Sequence, residues 1–152
     1  MTERTIAAIS TAQGEGGIGI IRISGSDAIA VADRVFVAVS EKPLSTLKGY
    51  RASYGKIVSD NQVIDEAVAV LYRAPHSYTG EDVVELCCHG GLYVTRQVLR
   101  AVIDEGASLA EPGEFTKRAF INGKMDLCEA QSVMDIISAQ SRQAARAAVS
   151  VR

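Results

Sequence analysis

At 152 residues, with 47% apolar and 22% charged side chains, the chain has the length of one ordinary domain, or of a domain with an extra element, and folding buries on the order of 70% of the unfolded surface. No apolar run is long enough to span a bilayer and no basic, apolar, cleavable leader follows Met1, so the expectation is a soluble, cytoplasmic protein with no membrane contact. A formal net charge of -2 argues against a surface that grips nucleic acid by bulk electrostatics, and three cysteines, two of them adjacent at Cys87-Cys88, form neither a disulfide framework nor a C-x-x-C site, which fits a reducing compartment.

Thr5–Ser10 reads as a strand, and a literal G-x-G-x-x-G follows at Gly14, Gly16 and Gly19. That pattern cradles a pyrophosphate only where a strand precedes it and a helix begins inside it. Here the β-branched run Gly17–Ser24 follows instead and reads as a second strand, so the glycines are read as a turn feeding a strand. Ser26–Phe36 reads as a helix with Ser26 or Asp27 as its cap. A loop with Pro43 and Gly49 comes next. Tyr50–Val58 and Val63–Tyr72 read as strands joined by the polar turn Ser59-Asp60-Asn61-Gln62, of hairpin length. The segment from Ala74 to Gly80 is loop, and Asp82–Cys88 is a strand that Gly90-Gly91 ends.

Leu92–Glu105 reads as an amphipathic helix with Gly106 at its C′ position, and Glu114–Ile121 as a short helix opened by Pro112-Gly113 and closed by Asn122-Gly123. Strands, a hairpin and helices in this irregular order predict an α+β fold rather than a doubly wound sheet. Asp126-Leu127-Cys128-Glu129 then has the form of a capping box. It starts a helical pattern running to Arg152, with apolar or small residues at Leu127, Ala130, Met134, Ile137, Ser141, Ala144, Ala148 and Val151. At 1.5 Å per residue this helix reaches about 40 Å. It has a start signal and no stop signal, so the expectation is the front piece of a longer protein, whose helical bundle it enters.

Two charges interrupt apolar strands: Arg22 in Ile20-Ile21-Arg22-Ile23, and Glu85 in Val83-Val84-Glu85-Leu86-Cys87. Alternation puts Glu85 on one face with Val83, Cys87 and His89, and Val84, Leu86 and Cys88 on the other. One reading is an intramolecular Arg22–Glu85 salt bridge or the exposed face of an edge strand. The other is a polar ligand held on a rigid sheet, since a carboxylate accepts two parallel N–H bonds from an aminopyrimidine edge and Arg or Lys suits a carboxylate tail. Lys117, Arg118 and Lys124 lie around the short helix, where a solvated face is the usual account of such charges; Lys124, just after the Asn122-Gly123 turn, is also a candidate to reach a site. Tyr78 and His89 flank glycine turns and are candidate pocket residues. Cys87, Cys88 and His89 do not make a metal site, because neighbouring strand residues point to opposite faces; buried thiols are expected. No G-x-x-x-x-G-K-[ST] occurs in the chain, so it carries no P-loop for GTP or ATP.

The segments GGIGIIRISG (16–25), SYTGEDVVELCCHGG (77–91) and AEPGEFTKRAFINGKMDLCEAQSVMDII (110–137), in this order and with suitable gaps, resemble the N-terminal region of the bacterial tRNA-modification GTPase family MnmE, also called TrmE. The resemblance implies a folate-binding, homodimer-forming α+β module over residues 1–120, a mixed sheet with flanking helices similar to the tetrahydrofolate-binding domain of aminomethyltransferases. Residues 121–152 then begin a helical domain into which a Ras-like G domain is inserted. It implies that Arg22, Glu85 and Lys124 match the positions that bind 5-formyltetrahydrofolate or a related tetrahydrofolate. It further implies that the full-length protein works with a flavin-dependent partner, MnmG (GidA), to add a carboxymethylaminomethyl-type group to the wobble uridine, position 34, of tRNA. GTP, magnesium and potassium would belong to the G domain, outside these residues, leaving no catalytic residue and no metal site here. Two other readings stand beside this binding module: a stand-alone folate-dependent one-carbon transferase, for which only Glu85, His89 and Tyr78 offer a general acid or base, and a purely structural dimerisation module.

Overall fold

The structure is a computed structural model that describes residues 4–10 and 17–150. Seven strands form one mixed sheet: β1 (Ile6–Ile9), β2 (Gly19–Ser24), β3 (Phe36–Ala38), β4 (Arg51–Ser59), β5 (Gln62–Tyr72), β6 (Val83–Cys88) and β7 (Ser108–Leu109), in the order β3-β4-β5-β6-β2-β1-β7. Neighbours are antiparallel except β1 and β7, which run parallel. The helices are α1 (Ala28–Val35), α2 (Gly91–Asp104), α3 (Glu114–Ile121) and α4 (Leu127–Ser150), with a short 3-10 turn at Leu44–Thr46. The arrangement is the α+β fold expected from the element order.

Strand alternation divides the sheet into two unlike faces. Ile21, Ile23, Ala67, Ala69, Leu71, Val84, Leu86 and Cys88 are all fully buried, and they join Val31, Val35, Val98 and Val102 of α1 and α2 in one core. The opposite face carries Arg22, Val70, Tyr72, Glu85 and Cys87, which are half-buried, and Tyr54, which is exposed. The hairpin between β4 and β5 turns through Asp60 and Asn61, both at positive φ (51° and 63°), the geometry a two-residue turn needs and one these two residue types tolerate.

The core also explains two glycines. Gly14 and Gly16 lie outside the described residues, but Gly19 opens β2 rather than a helix, and a Cβ there would collide with the Thr95 side chain of α2. The glycine is needed for close packing of strand on helix, and the strand after it removes the pyrophosphate cradle. Gly55 lets β4 pass over Phe36 and the backbone of β3.

Some local readings change. α1 ends directly in β3 with no turn between them, because Phe36 is already extended (φ -116°, ψ 127°) while its N–H still bonds to the Ala32 carbonyl. The loop expected after Phe36 therefore begins at Val39, two residues later. Asp27 sits at the N-cap of α1, but neither it nor Ser26 makes a side-chain capping bond; the Asp27 N–H donates to Thr5 Oγ1 instead. The two-residue β7 is stitched to the start of the chain by Ser108 N–H to Thr5 O and Ala110 N–H to Ala7 O. At α4 the capping box forms as read: Glu129 N–H donates to Asp126 Oδ1 (2.8 Å) and Asp126 N–H to Glu129 Oε1 (3.3 Å). Ala130 is buried, Met134 and Ile137 are half-buried, and Leu127 and Ser141 are exposed, so only part of the expected stripe is covered.

Because the Cβ of an alanine at position 55 would meet the Val37 carbonyl and the Phe36 ring, Gly55→Ala is expected to cost about 2–3 kcal/mol through overpacking, read as a lower urea midpoint at unchanged slope.

Candidate functional site

β2 and β6 lie side by side near the middle of the sheet, and their register sets Arg22 directly opposite Glu85. Both point away from the helix-covered core. Their side chains meet in an ion pair, with Arg22 Nε donating to Glu85 Oε2 at 3.1 Å and exposures of 24% and 18%. Two rings flank the cation: the guanidinium carbon is 5.0 Å from the Tyr78 ring centroid and 5.4 Å from that of Phe115. Aromatic faces attract a partly desolvated cation, which offsets some of the cost of taking it out of water. Both residue-level readings of this pair therefore share one geometry, a salt bridge on a polar patch of the sheet.

Arg22, Tyr72, Tyr78, Val83 and Glu85 line a cavity of about 160 Å³. It is smaller than the roughly 300–1,000 Å³ of pockets that swallow a whole drug-sized molecule, so it has room for a ring system rather than for a long ligand. The Tyr72 hydroxyl is pushed up to about 12, first by burial and then by the negative charge of Glu85. Burial, then Glu85, also raises the Cys87 thiol, and burial pushes Cys88 up to about 12. Both thiols stay protonated at neutral pH and are poor nucleophiles and ligands. Among the described residues no group of three His, Cys, Asp or Glu side chains could hold a metal ion.

One residue of the lining, Tyr78, comes from a loop that is bonded to a helix far away in sequence. Loop residues 77–81 are tied to α3 at three points: Tyr78 Oη to Thr116 Oγ1 (2.9 Å), Asn122 Nδ2 to the Thr79 carbonyl (2.7 Å), and Arg118 Nη1 to both oxygens of Glu81 (3.0 and 3.2 Å). Arg118 also donates through Nη2 to the Arg4 carbonyl (2.6 Å) and to Glu114 Oε2 (3.3 Å). Glu81 Oε1 accepts from Ser24 Oγ (2.8 Å), which in turn contacts Thr79 Oγ1 (2.7 Å). At 2% exposure Arg118 is buried, so the solvated face expected for it is corrected: the backbone of β1's approach and two carboxylates have taken the place of water. Lys117, on the other side of α3, is exposed as expected.

Of the residues singled out from sequence, Arg22, Glu85 and Tyr78 are brought together. Lys124 is exposed and does not line the cavity; it lies beside the same loop, where a Cβ at Gly80 would come within 3.4 Å of its Cγ. His89 is set apart, its N–H donating to Asp65 Oδ2 and its ring nitrogen meeting the Glu66 carbonyl. Phe115, Arg118, Glu81 and Tyr72 were not read from sequence as parts of the site. The signal for the first two was present, since Phe115, Arg118 and Asn122 follow the i, i+3, i+7 spacing of one helix face.

Residues 5–124 match the family model described as GTP-binding protein TrmE N-terminus. The chain is 54% identical over 150 residues to the tRNA modification GTPase MnmE of Symbiobacterium thermophilum, covering 98% of this chain and 33% of the relative. It is 51% identical over 148 residues to that of Parabacteroides distasonis (96% and 32%) and 52% identical over 143 residues to that of Carboxydothermus hydrogenoformans (93% and 31%). The chain thus spans about a third of the length of the curated relatives it matches.

Two tests follow from this geometry. Arg118→Met leaves Glu81 and Glu114 without their buried cation and is expected to cost about 3 kcal/mol, whereas the exposed Lys117→Ala should stay within about 0.5 kcal/mol, both read by urea unfolding. For Tyr72, a raised folded-state value means that the unfolded chain gives up the proton first; its contribution to stability is complete below pH 10 and is lost as pH rises toward 12. Glu85→Gln removes one of the two leading causes, so absorbance titration of the tyrosines should show the slowest-titrating phenol moving down while remaining above 10.

Proposed function

The chain belongs to the TrmE N-terminal family, and from that premise we propose that it is the folate-binding, dimer-forming module of a tRNA-modification GTPase. The ligand is 5-formyltetrahydrofolate or a related tetrahydrofolate. The observation that carries this reading is the Glu85 carboxylate, half-buried in a ring-sized cavity and paired with an arginine that stands between two aromatic rings.

A carboxylate offers about four lone-pair directions, so the bond from Arg22 leaves Glu85 able to accept two parallel N–H bonds from the aminopyrimidine edge of a pterin. Tyr78 and Phe115 supply apolar faces beside it. Arg22 and, across the Gly80 loop, Lys124 supply positive charge for the carbonyl and carboxylate oxygens of the same ligand. The pterin end lies in the cavity and the rest of the molecule runs out over the sheet, consistent with the cavity's size. Dimerisation is supported by the part of this sheet face that α3 leaves uncovered, where Val37 and Tyr54 are exposed and Val68 and Val70 half-buried.

In the full-length protein this module delivers a folate-borne one-carbon unit to a reaction, shared with the flavin-dependent partner MnmG, at the wobble uridine of tRNA. GTP is bound and hydrolysed by another part of that protein, with its magnesium and potassium. This chain, which has no G-x-x-x-x-G-K-[ST], is a binding module and not a GTPase by itself.

Calorimetric titration with 5-formyltetrahydrofolate, together with a mass measurement in solution, tests this directly: saturable binding by a dimer is expected, with no turnover of GTP. Glu85→Gln swaps one acceptor for a donor facing a ligand N–H and should cost roughly 2–4 kcal/mol of binding. Arg22→Ala should also weaken binding, and Lys117→Ala should leave it unchanged. If a well-folded Glu85→Gln protein binds folate as tightly as the parent, the site is misassigned and the ion pair is structural only.

A further inference from the structure

Tyr78 and Phe115 reach Arg22 from different segments, and each lies three residues before one member of the Glu81–Arg118 pair. On α3 a three-residue spacing keeps Phe115 and Arg118 on one helix face. In the loop, Tyr78 and Glu81 bracket Thr79, whose hydroxyl accepts the Glu81 N–H at 3.2 Å, while Ser77 Oγ donates to the Glu81 carbonyl. A bond between Glu81 and Arg118 therefore fixes the separation of the two rings. It is also referenced to the strand that bears the cation, because Glu81 Oε1 accepts from Ser24, two residues from Arg22 on the same face of β2.

We propose that the Glu81–Arg118 pair is a positioning clamp for the ligand site: it locks the Tyr78 loop onto α3 and so sets the gap in which Arg22 stands before Glu85. This rests on the folate reading above. Neither clamp residue lines the cavity, and neither is assigned a contact with ligand. The clamp is stiff for two reasons. Arg118 reaches both carboxylate oxygens of Glu81 through one amino group, Nη1, in charge-assisted bonds, and its other amino group is committed to the Arg4 carbonyl and Glu114. At 2% exposure it has little room to swing away. The Tyr78–Thr116 and Asn122–Thr79 bonds close the same seam but are neutral and single.

The test is a double-mutant cycle on 5-formyltetrahydrofolate affinity, with hydrogen exchange of the amides at 76–82 measured without ligand. Glu81→Gln keeps the shape and removes the charge; it should weaken binding about 10-fold and speed exchange in the loop, yet weaken binding less than about twofold when made in a Tyr78→Ala background, since the clamp acts through Tyr78. A purely structural role would lower the melting temperature equally in both backgrounds and leave the affinity of the folded protein alone. Unchanged affinity in folded Glu81→Gln, or the same loss with and without Tyr78, overturns the proposal. Should Glu81→Gln not fold, Glu81→Asp keeps the charge and shortens the reach to Arg118, and should produce a smaller loss of affinity that also vanishes in the Tyr78→Ala background; no loss in the folded protein overturns the proposal. If the parent protein binds no folate, the functional reading falls, and loop exchange still judges the clamp: unaltered protection at 76–82 in the variant sinks it.

Discussion

The register of the β2–β6 ladder is the constraint on which the rest of this molecule depends. With Arg22 opposite Glu85, Ile21 and Ile23 face the same side as Val84 and Leu86, and the helix-covered core closes with no charge in it. A slip of one residue on either strand would drive an ion into that core and push isoleucines into the open. The polar patch and the apolar core are therefore two consequences of one register, and the cross-strand ion pair is itself part of what specifies it. Its value lies less in raw stability, since a half-buried pair recovers little beyond its desolvation cost, than in excluding other alignments.

A second layer of organisation sits on top of the ladder. α3 and the loop before β6 lie on the Arg22 side of the polar face, and they are joined by side-chain hydrogen bonds, two of the three tethers running to side chains and one to the Thr79 carbonyl. Such a seam is specific but brittle: each bond depends on the geometry of the others, and removal of one charged member leaves its partners unsatisfied in a low-dielectric setting. The helix-covered face, built from interdigitated aliphatic side chains, tolerates change more evenly. One domain thus has a conventional core on one side of its sheet and a polar-bonded site wall on the other.

The regular elements were legible in the sequence because each carried its own local signal: the β-branched run of β2, the polar turn at 59–62 between β4 and β5, the glycines that end β6, the bounds of α3, and the capping box at Asp126. The polar face of β6 was also legible, since a glutamate in an apolar strand has to point away from the core. What was not legible depended on partners distant in the chain. β7 is two residues long and exists only because β1 offers it an edge; β3 continues an apolar run that reads as helix until Phe36 turns extended. Arg118 shares its helix with the exposed Lys117; its spacing from Phe115 and Asn122 marks the face it lies on, but its burial is decided by residues 4, 81 and 114, which no local pattern points to. Lys124 was reached through its place after a turn, and its position beside Gly80 depends on how that turn folds back.

α4 is about 36 Å long, and among its described side chains those that are buried or half-buried lie between Ala130 and Ile137. Met134 lies so close over Gly113, at the head of α3, that even a methyl group there would strike it, and the chain passes from α3 to α4 through only five residues. Beyond Ile137 the described side chains of the rod stand in solvent. Because α3 meets the base of α4 at Gly113 and also carries Phe115 and Arg118, the seat of the long helix and the network that holds the Tyr78 loop share one eight-residue element, so that repacking of Met134 acts on the same helix that positions Phe115 beside Arg22.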